Sequence, residues 1–281
     1  MDQTESKVSG GKIVRYVVCI LLCFLSILPF YILIINSTLK STEIVTGIKL
    51  IPGGEFITNF KGLLAGSEKT SGVNVLQAML NSLLVTVPAT ALQIYFGSLT
   101  AYAVTVYNFK LKKFAWGFIY AIMMIPQQVS IVGFIKICNL THLYGSFLAL
   151  IIPAIAAPTT VYFMKQYMET GLSVEIVEAA RIDGATRGQY FWKIALPLLI
   201  PSIKSAAILS MVGSLKYFDL IYVMTGGGPG TATELMATYM YKESFKNFNM
   251  GYGSAIAGGM FILITMVSMI TMKLINGKQE D

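Results

Sequence analysis

The sequence predicts an all-α integral membrane protein that crosses the bilayer six times. Three observations support this fold class: 55% of the 281 residues are hydrophobic, only 12% are charged, and six apolar stretches are long enough to span a membrane. A soluble domain usually carries about 25% charged residues, and a soluble globule of this composition would expose large apolar patches. The composition therefore argues against a soluble enzyme, a disordered protein and a nucleic-acid-binding protein.

The six spans follow from length, because a membrane-crossing helix needs roughly 20 mostly apolar residues. They predict a single transmembrane domain over residues 13–275, between N-terminal residues 1–12 and a tail, residues 276–281. In chain order the predicted spans are residues 13–35, 77–106, 115–137, 146–164, 194–223 and 253–274. The first stretch is longer than the apolar core of about 7–15 residues in a signal peptide, so we expect it to be retained.

Basic residues predict the orientation of the spans, since Lys and Arg accumulate in cytoplasmic loops. Twelve of the 21 Lys and Arg residues lie on the predicted side that contains both termini, and six lie on the other side in long loops. We therefore expect both termini to be cytoplasmic. The second long outer segment, residues 224–252, contains the run Thr225–Pro229, in which glycine and proline break helical structure. This run is either a flexible turn or a loop shaped to meet an external partner.

The cytoplasmic loop between the fourth and fifth predicted spans, residues 165–193, is longer than a tight turn requires. Ser173 can cap a short helix by accepting a hydrogen bond from a backbone N–H, and Glu175 lies in the first turn, where its charge suits the positive end of the helix. One apolar face is predicted from residues at helical spacing, namely Leu172, Ile176, Ala179 and Ala180. The helix either lies on the membrane surface or, because these side chains are small, packs closely against another backbone.

The same loop resembles the EAA loop of ABC-importer permeases. The resemblance rests on the spacing of Glu178-Ala179-Ala180, Gly184, Ile194 and Leu196-Pro197. Further residues resemble the carbohydrate-uptake, or maltose-type, branch of that family; they are Arg181-Ile182-Asp183-Gly184-Ala185, Pro197, Pro201, Thr225–Pro229 and Ser37-Thr38-Leu39-Lys40. The likeness extends over roughly residues 29–274 and is sharpest in the loop.

The resemblance implies the type I ABC importer fold, with a coupling helix between the fourth and fifth transmembrane helices. It implies a permease subunit of an ATP-driven, solute-binding-protein-dependent importer of a di- or oligosaccharide, working by alternating access in a bacterial inner membrane. The implied partners are a second permease subunit in a heterodimer, two ATPase subunits, an extracytoplasmic sugar-binding protein and membrane lipid, without nucleic acid. The alternative is a permease for a polyol, glycerol phosphate or amino acid.

In this family the loop helix sits in a cleft on the ATPase, and Glu178 matches the acidic position of the motif. Gly184 is expected to permit a sharp turn after the helix. The residues implied in coupling to the ATPase are Glu175, Glu178, Ala179, Ala180, Arg181, Asp183, Gly184 and Ala185.

Catalytic and cofactor-binding signatures are missing from the sequence. No G-x-x-x-x-G-K-[ST] phosphate-binding loop occurs, so we expect ATP and Mg²⁺ to bind to a separate ATPase subunit. The single histidine, His142, and the three cysteines form no metal-binding pattern. We therefore expect a transport subunit without catalytic residues, bound metal or cofactor.

Polar residues within the spans are candidates for the substrate path. Lys204 either lines the substrate path or pairs with a partner chain. The alternative is that its side chain extends the amine to the cytoplasmic surface. Lys216, Tyr217 and Asp219 combine polar groups with aromatic rings, which suits a sugar as well as anchoring at the membrane interface. Four buried amides either contact the substrate or hydrogen-bond between helices: Asn81, Gln93, Gln127 and Gln128.

Two other membrane-protein classes are disfavoured. A membrane enzyme needs converging catalytic groups, whereas the 14 acidic residues are mostly scattered in loops. A secondary transporter that works alone is typically built from internal repeats with intramembrane acids for ion coupling, and the sequence shows neither clearly.

Overall fold

The computed structural model describes residues 10–65, 75–172 and 174–276, and these residues form helices and connecting segments without strands. In chain order the α-helices of this part are α1 (Gly10–Asn36), α2 (Ser41–Val45), α3 (Phe56–Ala65), α4 (Val75–Val106), α5 (Lys112–Met123), α6 (Gln127–Leu140), α7 (Leu148–Ile151), α8 (Pro158–Gly171), α9 (Val174–Ile182), α10 (Arg187–Tyr190), α11 (Leu196–Leu215), α12 (Asp219–Met224), α13 (Met236–Tyr241) and α14 (Met250–Asn276). A 3₁₀ turn spans Ile152–Ile155, and π-helical turns span Phe191–Ala195 and Lys242–Lys246.

The predicted all-α membrane fold is confirmed. Among the described residues, five helical segments are long and apolar enough to cross a bilayer, and α5 with α6 forms a bent sixth candidate. The five segments are Gly11–Asn36, Val75–Val106, Leu148–Gly171, Gly188–Met224 and Met250–Lys273.

The loop between the fourth and fifth spans is shorter than predicted, because both flanking helices extend into it. The fourth span continues to Gly171 and the fifth already begins at Gly188. Lys165, expected at the start of the loop, is instead buried within α8. Its Nζ pairs with Glu169 one turn later and lies 4.3 Å from the centroid of the Trp116 ring. Because these neighbours satisfy the charge, the helix continues past the polar residue.

The third span is not the continuous helix predicted over residues 115–137. The helix α5 ends at Met123, α6 begins at Gln127, and the two helices meet at a bend of 102°. Pro126 explains the interruption, because proline lacks the backbone N–H and disfavours helical backbone at the residue before it.

The chain divides into two compact units, which we describe separately. The first unit comprises residues 1–67 and 240–259. After α1 comes the segment of residues 36–76, which is predicted to lie on the outer side and which we call the first outer segment. Thr38 organises its described part: Thr38 Oγ1 accepts a hydrogen bond from Gly53 N at 2.8 Å, and the Thr38 carbonyl oxygen accepts one from Glu55 N at 2.9 Å. Asn59 Nδ2 donates to the carbonyl of Ser37 at 2.9 Å. This outer segment is therefore folded around the residues that follow α1.

The second unit comprises residues 68–239 and 260–281. Its centre is the packing of α4 against α8 and α11. A close approach of α4 and α8 is possible at Gly97, where an added Cβ would lie 3.0 Å from Thr160 Cγ2. At one end of these helices a core of buried residues forms, comprising Ala101, Tyr102, Val161, Met164, Met168, Leu172, Ala180, Tyr190, Ala195, Leu199 and Ala206.

The turn at Thr38 gives the first testable prediction. A Cβ atom at Gly53 would lie 2.6 Å from the Thr38 carbonyl oxygen, whereas a Cβ at Gly54 would meet nothing within 4 Å. We expect Gly53→Ala to destabilise the outer segment by about 1–3 kcal/mol, the usual cost of overpacking, and Gly54→Ala to be tolerated. Limited trypsin digestion at Lys49 and Lys61 measures the difference. Equal digestion of the two variants would contradict the role of this turn.

Candidate functional site

The short helix α9 ends in a glycine turn that fixes the path of the chain after it. Gly184 has a φ of +73°, a conformation that glycine adopts without steric cost. Asp183 N donates to the carbonyl of Ala179 and Ala185 N to the carbonyl of Ala180, both at 2.9 Å. The second bond and the glycine are features of the Schellman motif, which satisfies the last carbonyls of a helix.

One face of α9 is packed against the core of the second unit. Ala180 and the preceding Leu172 are each 5% exposed, and Ile176 and Val177 are partly buried against the same core. This core includes Tyr102 of α4 and Met168 of α8. The helix is therefore attached to two transmembrane helices, which a helix lying loosely on the membrane surface would not be.

The opposite face of α9 is exposed and acidic. It consists of Glu175, Glu178, Ala179, Ile182 and Asp183. We call it the coupling face because the resemblance to the EAA loop implies four of these residues, all but Ile182, in coupling. The sequence analysis placed Ala179 on the apolar face beside Ala180. The structure instead exposes it, because successive residues of a helix point about 100° apart. Ile182 is 86% exposed, so this face presents an apolar side chain as well as three carboxylates. The side chain of Arg181 lies outside the described part of the chain, as does Ser173.

A rigid connection joins α9 to the fifth span. Thr186 N donates to Gln189 Oε1 at 2.9 Å, and Gln189 N donates to Thr186 Oγ1 at 3.3 Å. This reciprocal pair is a capping box, which satisfies the first N–H groups of a helix. The helix α10 that it starts continues through the π turn into α11 without interruption. Only residues 183–186 therefore separate α9 from the helical rod of the fifth span.

Aromatic residues on α4 and the fifth span contact each other near this connection. The Tyr102 ring lies 5.3 Å from Phe191 and 5.7 Å from Tyr107, both edge to face. The sequence analysis did not identify these residues or Tyr190 as functional. Their positions at helix ends beside the loop were the only available signal, and helical periodicity alone does not show which aromatic rings of different helices meet.

Two of the predicted substrate-path amides join segments of the second unit. Asn81 Nδ2 donates to the carbonyls of Glu234 at 3.0 Å and Ala232 at 3.3 Å, and Gln93 Nε2 donates to Thr160 Oγ1 at 2.9 Å. These amides therefore make the interhelical and loop contacts that the sequence analysis considered as the alternative to substrate binding.

The glycine-rich run that begins at Thr225 is an ordered loop. Thr225 Oγ1 and Thr233 Oγ1 lie 2.8 Å apart, and Thr233 Oγ1 donates to the Gly228 carbonyl at 2.7 Å. Gly226 and Gly227 both have positive φ angles. At the far side of the loop, Ser82 Oγ of α4 accepts a hydrogen bond from Met236 N at 3.1 Å. These bonds give the loop a defined shape and attach it to α4.

Two other predicted path residues meet where spans three and five are interrupted. Gln128, at the start of α6, donates from Nε2 to Asp219 Oδ2 at 3.3 Å, and both residues are exposed. Phe218 and Tyr222 stack with ring centroids 5.1 Å apart. Among the neighbouring candidates, Lys216 is exposed and Tyr217 is half-buried. This group forms a polar and aromatic surface at the two helix breaks.

The remaining predicted residues lie apart from this surface. Lys204 is half-buried in the middle of α11, and the Gln127 side chain is outside the described part of the chain. The described residues contain no group of three His, Cys, Asp or Glu side chains able to hold a metal ion.

Comparison with known proteins identifies the family. Residues 93–280 match the family described as "binding-protein-dependent transport system inner membrane component". ORF1 of Caldicellulosiruptor sp. (strain Rt8B.4), described as an ABC transporter permease protein, is 65% identical over 106 residues, which are 38% of this chain and 76% of that protein. The arabinooligosaccharides transport system permease protein AraQ of Halalkalibacterium halodurans is 34% identical over 200 residues, which are 70% of each chain.

A solved structure shows the same fold. A crystal structure of a bacterial ABC transporter involved in import of the acidic polysaccharide alginate contains a chain that superposes with a TM-score of 0.67. The superposition covers 95% of both chains at 17% sequence identity. Because the family match spans more than half of the sequence and the fold agrees, this chain belongs to the binding-protein-dependent transport system inner membrane components, the permease subunits of ABC importers.

Proposed function

We propose that this chain is one of two permease subunits of an ATP-driven importer and that the coupling face of α9 docks on an ATPase subunit. The observation that carries the proposal is the two-sided packing of α9. One face is buried against α4 and α8, and the other exposes three carboxylates and Ile182. A helix fixed to the membrane domain on one side and open on the other can transmit force from a cytoplasmic partner.

The connection from α9 to α11 supports a mechanical role. The Gly184 turn and the Thr186–Gln189 capping box leave four residues between the helices, and the backbone N–H groups of Asp183, Ala185 and Thr186 are hydrogen-bonded. A displacement of α9 by a partner would therefore move the fifth span with it. Rigid-body movements of this kind are a common means of switching between two conformations. In an importer they would alternate access to the substrate path.

The proposed partner supplies the chemistry that this chain lacks. ATP and Mg²⁺ would bind to two ATPase subunits, and this chain would bind no cofactor. A second permease subunit would complete the path, and an extracytoplasmic binding protein would deliver the solute. The ordered Thr225 loop and the folded segment around Thr38 are suited to contact that binding protein. This arrangement requires both termini to be cytoplasmic, as the distribution of basic residues predicts.

A di- or oligosaccharide is the proposed substrate class. The name of the relative AraQ gives arabinooligosaccharides as its transported solute. In this chain, Gln128 and Asp219 offer hydrogen-bonding groups beside the stacked rings of Phe218 and Tyr222. Hydroxyl-binding polar groups together with aromatic rings suit a sugar, whose edges are polar and whose faces are apolar. A polyol, glycerol phosphate or amino acid is the alternative solute.

Charge reversal on the coupling face tests the docking role. We expect Glu178→Lys to lower ATP-dependent uptake at least tenfold while the amount of protein in the membrane stays unchanged, because the exposed carboxylate contributes to docking and not to the core. The measurements are solute uptake and co-purification of the ATPase. Lys110→Glu, a charge reversal of the same size and opposite sign in the exposed loop after α4, lies outside both proposed contact surfaces; it is the control and should retain uptake. Normal uptake and normal ATPase retention by Glu178→Lys would contradict the proposal.

A pair of glycines tests the turn after α9. We expect Gly184→Ala to strain the turn by roughly 1–2 kcal/mol, because an L-residue at this positive φ brings its Cβ close to the carbonyl oxygen. Gly188 lies in α10 with nothing within 4 Å of an added Cβ, so Gly188→Ala should be neutral or slightly stabilising. The ratio of solute uptake to ATP hydrolysis should fall for Gly184→Ala and stay unchanged for Gly188→Ala. An equal effect of both variants would exclude a specific role of the turn.

The substrate class is tested by uptake in a strain that depends on this system. We expect competition by di- and oligosaccharides and no competition by amino acids, polyols or glycerol phosphate at the same concentration. Asp219→Asn should lower the maximal uptake rate several-fold while ATPase co-purification stays normal, because it changes the path and not the coupling face. Competition by a non-sugar solute alone would establish the alternative substrate class.

A further inference from the structure

A cavity of about 100 Å³ lies between α9, the end of α4 and the start of the fifth span. Its lining is mostly aliphatic and aromatic, and comprises Tyr102, Val106, Tyr107, Val177, Ala180 and Ala185, with Tyr190. Two of these residues, Ala180 and Ala185, are joined by the backbone hydrogen bond that ends α9. The coupling helix is therefore not fully packed on its support, and there is space beside it for a small displacement.

Tyr190 is the unusual residue of this lining. It is 7% exposed, and no described residue forms a hydrogen bond with its Oη. Its backbone is held in place, since Tyr190 N donates to the Thr186 carbonyl at 2.9 Å. Within the described part of the chain, the backbone N–H of Tyr190 therefore has a partner and its hydroxyl has none. Buried polar groups without a partner are rare in folded proteins because they lose their hydration without compensation.

A second irregularity, a π turn, begins at the residue after Tyr190. It spans Phe191–Ala195, and π turns inside α-helices are frequent at functional sites. The unsatisfied hydroxyl, the cavity and the π turn thus all lie at the junction between the coupling helix and the fifth span. This is the junction through which a displacement of α9 must pass.

We propose that Tyr190 is a positioning residue that disfavours the conformation described here. Its buried hydroxyl raises the free energy of this conformation, and a displacement of α9 that opens the cavity gives the hydroxyl a hydrogen-bonding partner. Loss of the hydroxyl then favours the present conformation. Leaving one buried hydroxyl unsatisfied corresponds to a change of roughly 5- to 150-fold in the ratio of the two conformations. The inference rests on the proposed coupling role of α9.

The matched control is Tyr102, on the opposite wall of the same cavity. Tyr102 is 8% exposed and shares a side-chain hydrogen bond with Tyr107. Removal of a satisfied hydroxyl leaves its partner unpaired and destabilises the fold, whereas removal of an unsatisfied one relieves a penalty. Tyr190→Phe and Tyr102→Phe are therefore expected to have opposite effects on the stability of this conformation.

The experiment uses the complete transporter in lipid nanodiscs, with Cys19, Cys23 and Cys138 replaced by alanine. Spin labels at the exposed positions Gly188→Cys and Lys110→Cys, both outside the coupling face, report the distance from the helix that follows α9 to the loop after α4. We expect Tyr190→Phe to raise the ratio of the present conformation to the displaced one at least fivefold, to raise the unfolding temperature and to slow uptake. We expect Tyr102→Phe to lower the unfolding temperature.

An unchanged distance distribution for Tyr190→Phe, a loss of stability or a failure to fold would each overturn the inference, because removal of an unsatisfied hydroxyl cannot destabilise this state. The proposed function is tested separately by Glu178→Lys. If Glu178→Lys abolishes uptake while Tyr190→Phe leaves the distance distribution unchanged, the coupling role of α9 is supported and the proposed role of Tyr190 is wrong. If Glu178→Lys has no effect on uptake, the coupling role itself falls.

Discussion

Ala180 and Leu172 are buried against side chains of α4 and α8, and this contact makes the loop between the fourth and fifth spans part of the helix packing around it. Without it, α9 would be a short amphipathic helix, and a helix of nine residues is only marginally stable in water by itself. Its stability therefore comes from the transmembrane helices. The same contact orients the helix, so that the carboxylates and Ile182 face away from the core. One packing arrangement thus attaches the helix by its buried face and leaves the face proposed for docking exposed.

The sequence predicted the architecture well because bilayer thickness sets helix length. Apolar stretches of sufficient length are visible in the chain. The motif around Glu178 lies on a short helix before the fifth span, as its resemblance to the EAA loop implied. The breaks and ends of helices were less predictable. Lys165 continues α8 because Glu169 and Trp116 surround its amine, and such contacts depend on neighbouring helices that periodicity does not reveal.

The polar residues within the spans show more clearly that sequence spacing does not reveal contacts between helices. Asn81 and Gln128 are both amides within predicted spans, yet Asn81 holds the Thr225 loop and Gln128 meets Asp219 at a pair of helix breaks. Sequence spacing alone treats them alike, because the distinction depends on which backbone carbonyl or carboxylate lies opposite. Tyr190 could not be selected from the sequence for a related reason. A missing hydrogen bond is a property of the surroundings and leaves no trace in the order of residues.

The interruption at Pro126 has a consequence for how this subunit is accommodated in lipid. The 12 residues of α5 and the 14 of α6 extend only about 18 and 21 Å at 1.5 Å per residue, less than the roughly 30 Å of the hydrocarbon layer. Neither half can cross alone, and peptide groups at a break cannot be left facing acyl chains. Water or protein, whether from this chain or from a neighbouring subunit, must therefore cover the bend between α5 and α6.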